Sequence, residues 1–114
     1  MENLIYNELR RCDLSVDVGE VEIKETNREG KAERKWLEVD FVCNQGFRRY
    51  YIQSALNISD DEKRETELRS LQKINDSFKK IVIAGGLSAH YQNNEGIEFV
   101  SLYDFLTDPQ IIID

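Results

Sequence analysis

Asp40, in the run Trp36-Leu-Glu-Val-Asp-Phe-Val-Cys43, and the triplet Gln53-Ser-Ala55, in the run Phe47-Arg-Arg-Tyr-Tyr-Ile-Gln-Ser-Ala55, are the residues whose types and spacing point to chemistry. Read with a period of two, the first run sets Leu37, Val39, Phe41 and Cys43 on one face of a strand. Trp36, Glu38, Asp40 and Val42 fall on the other, and in the second run Tyr51, Gln53 and Ala55 share a face. With a turn at Asn44-Gln-Gly46 between them, a carboxylate followed by a polar-x-small triplet has the layout of a metal-dependent nuclease site. In such a site carboxylates hold one or two Mg²⁺ ions that activate water, while a lysine orients or deprotonates the nucleophile. Here an amide stands for the second carboxylate and a methyl group for the amine, so the site reads as dismantled.

The elements that must carry these residues follow from periodicity. Leu4, Ile5, Leu9 and Cys12 have helical spacing and predict a short helix over Glu2 to Cys12, with Glu8 beside its apolar stripe. Leu14 to Thr26 reads as a long strand. Its valines fall on opposite parities, which places a bulge and a register shift at Gly19. Asn27-Arg-Glu-Gly30 is a turn signal, so this strand and the next form a hairpin. After the third strand, Ser59-Asp-Asp-Glu62 matches a capping box and opens a helix running to about Asn75. Phe78-Lys-Lys-Ile-Val-Ile-Ala84 reads as a short strand whose continuous apolar part ends at Gly85-Gly86, the pattern of a strand buried on both faces. Asn93-Asn-Glu-Gly96 turns into a strand over Ile97 to Leu102, and Tyr103 to Leu106 makes a helical turn ended near Pro109. The expected order is αβββαββα, an α/β domain.

With 114 residues the chain is expected to be a single domain over 1–114, without an internal boundary. Its 40% hydrophobic and 10% aromatic content excludes a disordered chain. No apolar run approaches the roughly 18–20 residues that span a bilayer, and the first residues lack the pattern of a secretory leader, so a cytoplasmic protein with no membrane partner is expected. Net charge of −7 counts against indiscriminate polyanion binding. Basic pairs at Arg10-Arg11, Arg34-Lys35, Arg48-Arg49 and Lys79-Lys80 leave room for a local positive patch, and Arg48 and Arg49 are the pair assigned to nucleic-acid contact.

More narrowly, Ile5-Tyr-Asn-Glu-Leu-Arg-Arg11, Leu37-Glu-Val-Asp-Phe-Val42, Tyr50-Tyr-Ile-Gln-Ser-Ala55, Lys79-Lys-Ile-Val-Ile83 and Leu102-Tyr-Asp-Phe-Leu106 resemble the C-terminal domain of unknown function of prokaryotic AAA-type ATPases. That domain is a degenerate form of the restriction-endonuclease-like, or PD-(D/E)XK, fold: a mixed central sheet flanked by helices. The resemblance covers nearly the whole chain. It implies that a P-loop ATPase domain, absent from these residues since no G-x-x-x-x-G-K-[ST] occurs, lies N-terminal in a longer parent chain and is the partner. Carried over by position, Glu8 matches the helix-borne acid, Asp40 the metal-binding Asp, Gln53 the strand acid and Ala55 the Lys. Glu8 and Asp40 remain as weak Mg²⁺ ligands, with Glu38 as a substitute acid and Lys24 or Lys35 as a migrated amine. The implied function is a non-catalytic interaction or regulatory module of the ATPase, with nucleic-acid recognition as an elaboration and no cofactor. Its rivals are an active Mg²⁺-dependent DNA nuclease and a structural dimerisation domain.

Plainer roles stand beside these. Glu8 pairs with an arginine such as Arg48, Asp40 accepts backbone or tyrosine hydrogen bonds, and Gln53 preserves a network without a metal. His90, with no second His or Cys at ligand spacing, is a loop residue. Cys12 and Cys43 are buried free thiols. Trp36, Tyr50, Tyr51 and Tyr103 are packing rather than base-stacking residues. The run Ile111 to Ile113 must be covered by the sheet, by a second copy in a homodimer, or by the ATPase.

Overall fold

A computed structural model describes residues 2–55, 68–74, 76–86 and 90–113. Helix α1 (Glu2–Arg11) leads into β1 (Ser15–Thr26), β2 (Ala32–Gln45) and β3 (Arg48–Ala55). Helix α2, described over 68–73, precedes β4 (Lys79–Ala84), β5 (Tyr91–Gln92), β6 (Glu98–Ser101), α3 (Leu102–Thr107) and a 3₁₀ turn at Pro109–Ile112. Six strands form one mixed sheet in the order β1-β2-β3-β4-β6-β5. Pairing is antiparallel from β1 to β3, parallel from β3 through β4 to β6, and antiparallel again to β5. The expected order αβββαββα therefore lacks one strand. With two residues, β5 is too short to show any periodicity, and His90 immediately precedes it rather than lying within a loop that runs to Asn94. The capping box at Ser59 to Glu62 lies outside the described residues.

The turns form where the sequence marks them. Asn27 closes the β1–β2 turn by accepting from the N–H groups of Glu29 and Lys31 through its side-chain oxygen. Between β2 and β3 the pair Gln45 and Arg48 brackets a two-residue turn whose first member, Gly46, has a φ of 61°. A glycine at that place is what a type II′ hairpin requires.

Two apolar cores lie on the two faces of the sheet. On one, Ile5 and Leu9 of α1, Phe105 of α3 and Ile112 of the 3₁₀ turn pack on Cys43, Tyr50, Ile52, Ile81, Ile83 and Val100. On the other, Leu68, Leu71 and Ile74 pack on Tyr51, Ala55, Val82, Ala84 and Phe99. These are the α1 face and the α2 face. Strand β4 is buried on both, as its unbroken apolar run requires. Ile112 is fully buried with Ile111 and Ile113 against the same core, so the aliphatic run is covered by its own sheet.

Strand β2 changes faces partway along. Leu37 and Val39 belong to the α2-side core, whereas Phe41 and Cys43 belong to the α1-side core, although all four have the same parity. The expectation that they share a face is corrected by an extra residue in β2. Asp17 pairs with Val42 and Gly19 with Val39, so Val18 alone lies opposite Asp40 and Phe41. The register shift falls beside Gly19 as expected, but its surplus residue belongs to β2. Gly19 itself holds a φ of 134°, a conformation that side chains disfavour.

Ile112→Ala removes a fully buried aliphatic side chain from beneath α3, and a loss of about 2–4 kcal/mol is expected in urea unfolding. Ile111→Ala, at a partly buried position, should cost clearly less.

Candidate functional site

The bulge also decides what Asp40 does. Regular pairing of β2 with β3 stops at Phe41 and Ile52. One residue further, the Asp40 N–H donates to Gln53 Oε1 at 2.8 Å, and Asp40 Oδ2 accepts from Ser54 N at 2.7 Å and Ser54 Oγ at 2.8 Å. Side chains thus replace the ladder bonds at the point where the two strands part. Gln53 follows the alternation of Tyr51 and Ala55 and starts from the α2 face, where it is only 8% exposed. Asp40 instead lines a cleft with Asn3, Tyr6 and Phe41 beside α1. The amide of Gln53 therefore meets the main chain of Asp40 rather than its carboxylate. Ala55 is packed into the α2-side core. Glu8 lies on the other flank of the α1 apolar stripe from Tyr6 and pairs with Arg11 at 3.2 Å, not with Arg48. Of the four positions that a nuclease site would use, only Asp40 and Gln53 are joined. Among the described residues no group of three His, Cys, Asp or Glu side chains is placed to hold a metal ion.

Two clefts flank this point. The one containing Asp40, about 500 Å³, adds Val18, Gly19 and Glu20 from β1 and Glu38 and Val39 from β2. Glu20 and Glu38 are direct cross-strand partners, so two carboxylates stand opposite one another in register. The second cleft, about 670 Å³ on the α2 face, runs from Asp17 through Lys24 of β1 to Val42, Asn44, Arg49, Tyr51, Lys73, Ile74 and Asp76. Its polar groups answer one another. Tyr51 donates its hydroxyl to Asp76 Oδ2 at 2.7 Å, and Asp76 Oδ1 accepts from Phe78 N and Lys80 Nζ, each at 3.0 Å. Lys80 also donates to the carbonyls of Asp76 and Phe78 and lies over the Tyr51 ring. Arg49 donates to Asn44 and lies over Phe78.

The electrostatics match this pairing. Burial works to raise the Asp76 carboxyl, but the bonds from Tyr51, Lys80 and Phe78 outweigh it and hold the group below its ordinary value. Burial first, and the bond to Asp76 second, push the Tyr51 phenol up. Cys43 is pushed up to about 12 by burial, with Asp17 and Cys12 adding to it, and Cys12 is raised by burial and then by Glu8. Both cysteines are buried free thiols.

Other expected residues fall apart from this region. Arg48 and Arg49 begin β3 at the hairpin tip beside the fully exposed Phe47, roughly 17 Å along β2 from Asp40. Tyr50 and Tyr51 are core residues, while Trp36 and Tyr103 are exposed. Lys35 pairs with Glu25 at 3.0 Å. His90 stands 3.6 Å from the Glu98 carboxylate, which also pairs with Lys79. Sequence reading missed Asp76 and Glu20. The turn Asp76-Ser-Phe78 with Lys80 four residues on is a local signal for the first, but the Glu20–Glu38 pairing needs the strand register.

No protein-family model matches the sequence. Over 108 residues the chain is 32% identical to an uncharacterized protein of Haemophilus influenzae Rd, in an alignment that takes in 93% of this chain and 22% of that one. The chain thus spans about a fifth of the length of that relative.

Tyr51→Phe deletes one donor to Asp76 and should lower stability by about 1–2 kcal/mol at neutral pH, read by urea unfolding. A carboxyl held low contributes stability that is present above its unfolded value and lost as pH falls through its folded value. The gap between wild type and variant should therefore narrow below 3.8, the ordinary aspartate value. Equal stabilities at neutral pH would show that Asp76 needs no tyrosine partner.

Proposed function

We propose that this domain is a non-catalytic interaction module built on a degenerate PD-(D/E)XK frame and carried by an AAA-type ATPase. The observation that carries it is the clasp at Asp40. The groups that a nuclease would aim at one metal are used here for cohesion: Gln53 holds the Asp40 N–H, Ser54 holds its carboxylate, and Ala55 fills a core position. The topology agrees with such a frame. A leading helix, three antiparallel strands and a fourth strand parallel to the third, reached through α2, are the elements the resemblance implies. The parting of β2 from β3 next to Asp40 is where that fold would bring its acids together. Loss of the site then goes beyond the substitutions at Gln53 and Ala55, because those positions also face away from the remaining acid.

A protein-binding role fits the surface better than a nucleic-acid one. The domain is acidic overall, and at the hairpin tip Arg49 is engaged with Asn44 and Phe78. Recognition of nucleic acid through Arg48 and Arg49 stays as an elaboration that a mobility-shift assay at low salt decides.

Titration with Mg²⁺ followed calorimetrically should show no binding tighter than about the millimolar range, since Mg²⁺ gives up its water reluctantly and finds no converging carboxylates among the described residues. Plasmid DNA should remain intact in Mg²⁺ or Mn²⁺. Micromolar Mg²⁺ binding together with cleavage that Asp40→Ala abolishes would replace this account with that of an active nuclease.

A further inference from the structure

The β1–β2 hairpin runs on past the end of β3 pairing, and one of its faces combines acid with exposed apolar side chains. Strand alternation puts Val18, Glu20 and Glu22 of β1 on this face, and Trp36, Glu38 and then Asp40 of β2 beside them. Val18 is 72% exposed and Trp36 60% exposed. Between Val18 and α1 lies the 500 Å³ cleft, with Tyr6 and Phe41 as its apolar floor. Glu20 and Glu38 have no ion-pair or hydrogen-bond partner among the described residues, whereas Glu22 is held by Arg34 at 3.2 Å. Like charges directly opposite one another on paired strands are destabilising, and no ion pair among the described residues relieves this one.

We infer that this cleft is a docking groove for an extended segment of a partner protein that bears arginine or lysine between aliphatic residues. Charge complementarity selects the occupant. The carboxylates are spread along the strands rather than gathered, and no three are placed to hold one ion, so a point cation is a poor match. Guanidinium or ammonium groups at every fourth residue of a strand, with aliphatic side chains at the alternate residues between them, face the groove together and meet these carboxylates separately. Trp36 to Asp40 spans roughly 13 Å, the reach of about five extended residues. The apolar side chains of the same segment would rest on Val18, Trp36 and the cleft floor. A nucleic acid would bring phosphates against Glu20, Glu38 and Asp40 and is repelled. The inference rests on the interaction-module reading and names the surface and the partner chemistry for it.

Trp36 is the sole tryptophan and stands on the same strand face two residues from Glu38, so its emission can report a segment laid along β2 without a label. The probe is a short peptide in which arginine and leucine take turns at every second position with serine between them, so that both share one face of the strand, and the control is a matched peptide with glutamate in place of arginine. The arginine peptide should produce a saturable change in Trp36 emission, and the glutamate peptide none. The double variant Glu20→Gln with Glu38→Gln should bind about tenfold more weakly. Its melting temperature should equal or exceed that of wild type, because the opposed charges are gone, so a loss of binding cannot be assigned to misfolding. The double variant Arg48→Ala with Arg49→Ala, altered at the far hairpin tip, should bind like wild type. No saturable change with the arginine peptide, equal binding by the Gln variant, or a stronger response to single-stranded DNA than to the peptide would each overturn the docking groove. None of those results restores a nuclease, since that account stands or falls on Mg²⁺ binding and cleavage.

Discussion

The single surplus residue in β2, opposite Val18, is the constraint on which the rest of the structure depends. A strand of regular pleat would deliver Leu37, Val39, Phe41 and Cys43 to one face and leave the other core short of apolar cover. By inserting one residue at Asp40 and Phe41, the strand gives Leu37 and Val39 to the α2 side and Phe41 and Cys43 to the α1 side. The same irregularity ends the ladder with β3, since backbone groups beyond it no longer face one another. Buried backbone donors must be satisfied, and here the side chains of Gln53 and Asp40 supply what the ladder does not. A residue pair that looks chemical in the sequence is thereby given a mechanical task.

Because pairing with β3 ends at this point while β1 and β2 run on together, the sheet has a layered body and a two-stranded arm. The body is held by β4 and its neighbours, where Ile81 to Ala84 form a wholly buried apolar run between the two cores. Among the described residues the arm is covered on its α2 side, by the core containing Ile74 against Val21 and Leu37, with Lys73 reaching Glu25. Its other side carries Trp36 and Val18 without cover. The outer edge along β1 is dotted with Asp17, Glu20, Glu22, Lys24 and Glu25, charges that oppose edge-to-edge pairing with another sheet. This exposed apolar row bordered by charge, on a domain with net charge −7, is the surface on which the proposed basic segment would dock.

Much of the framework was legible in the chain itself. Helical spacing of Ile5, Leu9 and Cys12, the unbroken run at Ile81 to Ala84, and the Asn and Gly residues at the turns each reflect a local physical preference that survives in any context. The register shift does fall beside Gly19, where the sequence placed it, but not for the reason that valine parity suggests: Val16 packs on the α1 side and Val21 on the α2 side, so β1 alternates regularly. Three features were not legible. Strand β5 has only two residues and exists because the Asn93 turn folds it onto β6, where Tyr91 stacks on Phe99 at 4.7 Å. The owner of the surplus residue is a property of the pair of strands, not of either one. Asp76 gathers Tyr51 and Lys80 from two strands that only the sheet brings together.

By itself the sequence determined the element types and most of their limits, the covered fate of both cysteines, and the acidic character that disfavours a polyanion, since these follow from periodicity, composition and charge. Only the tertiary structure decided what Asp40, Gln53 and Ala55 do, because their faces are set by a register shift whose position depends on the partner strand. It also decided that Glu20 opposes Glu38 and that Trp36 stands uncovered beside them. Pairing across strands far apart in the chain is a cooperative outcome of filling two cores at once, and no local preference of a single strand encodes it.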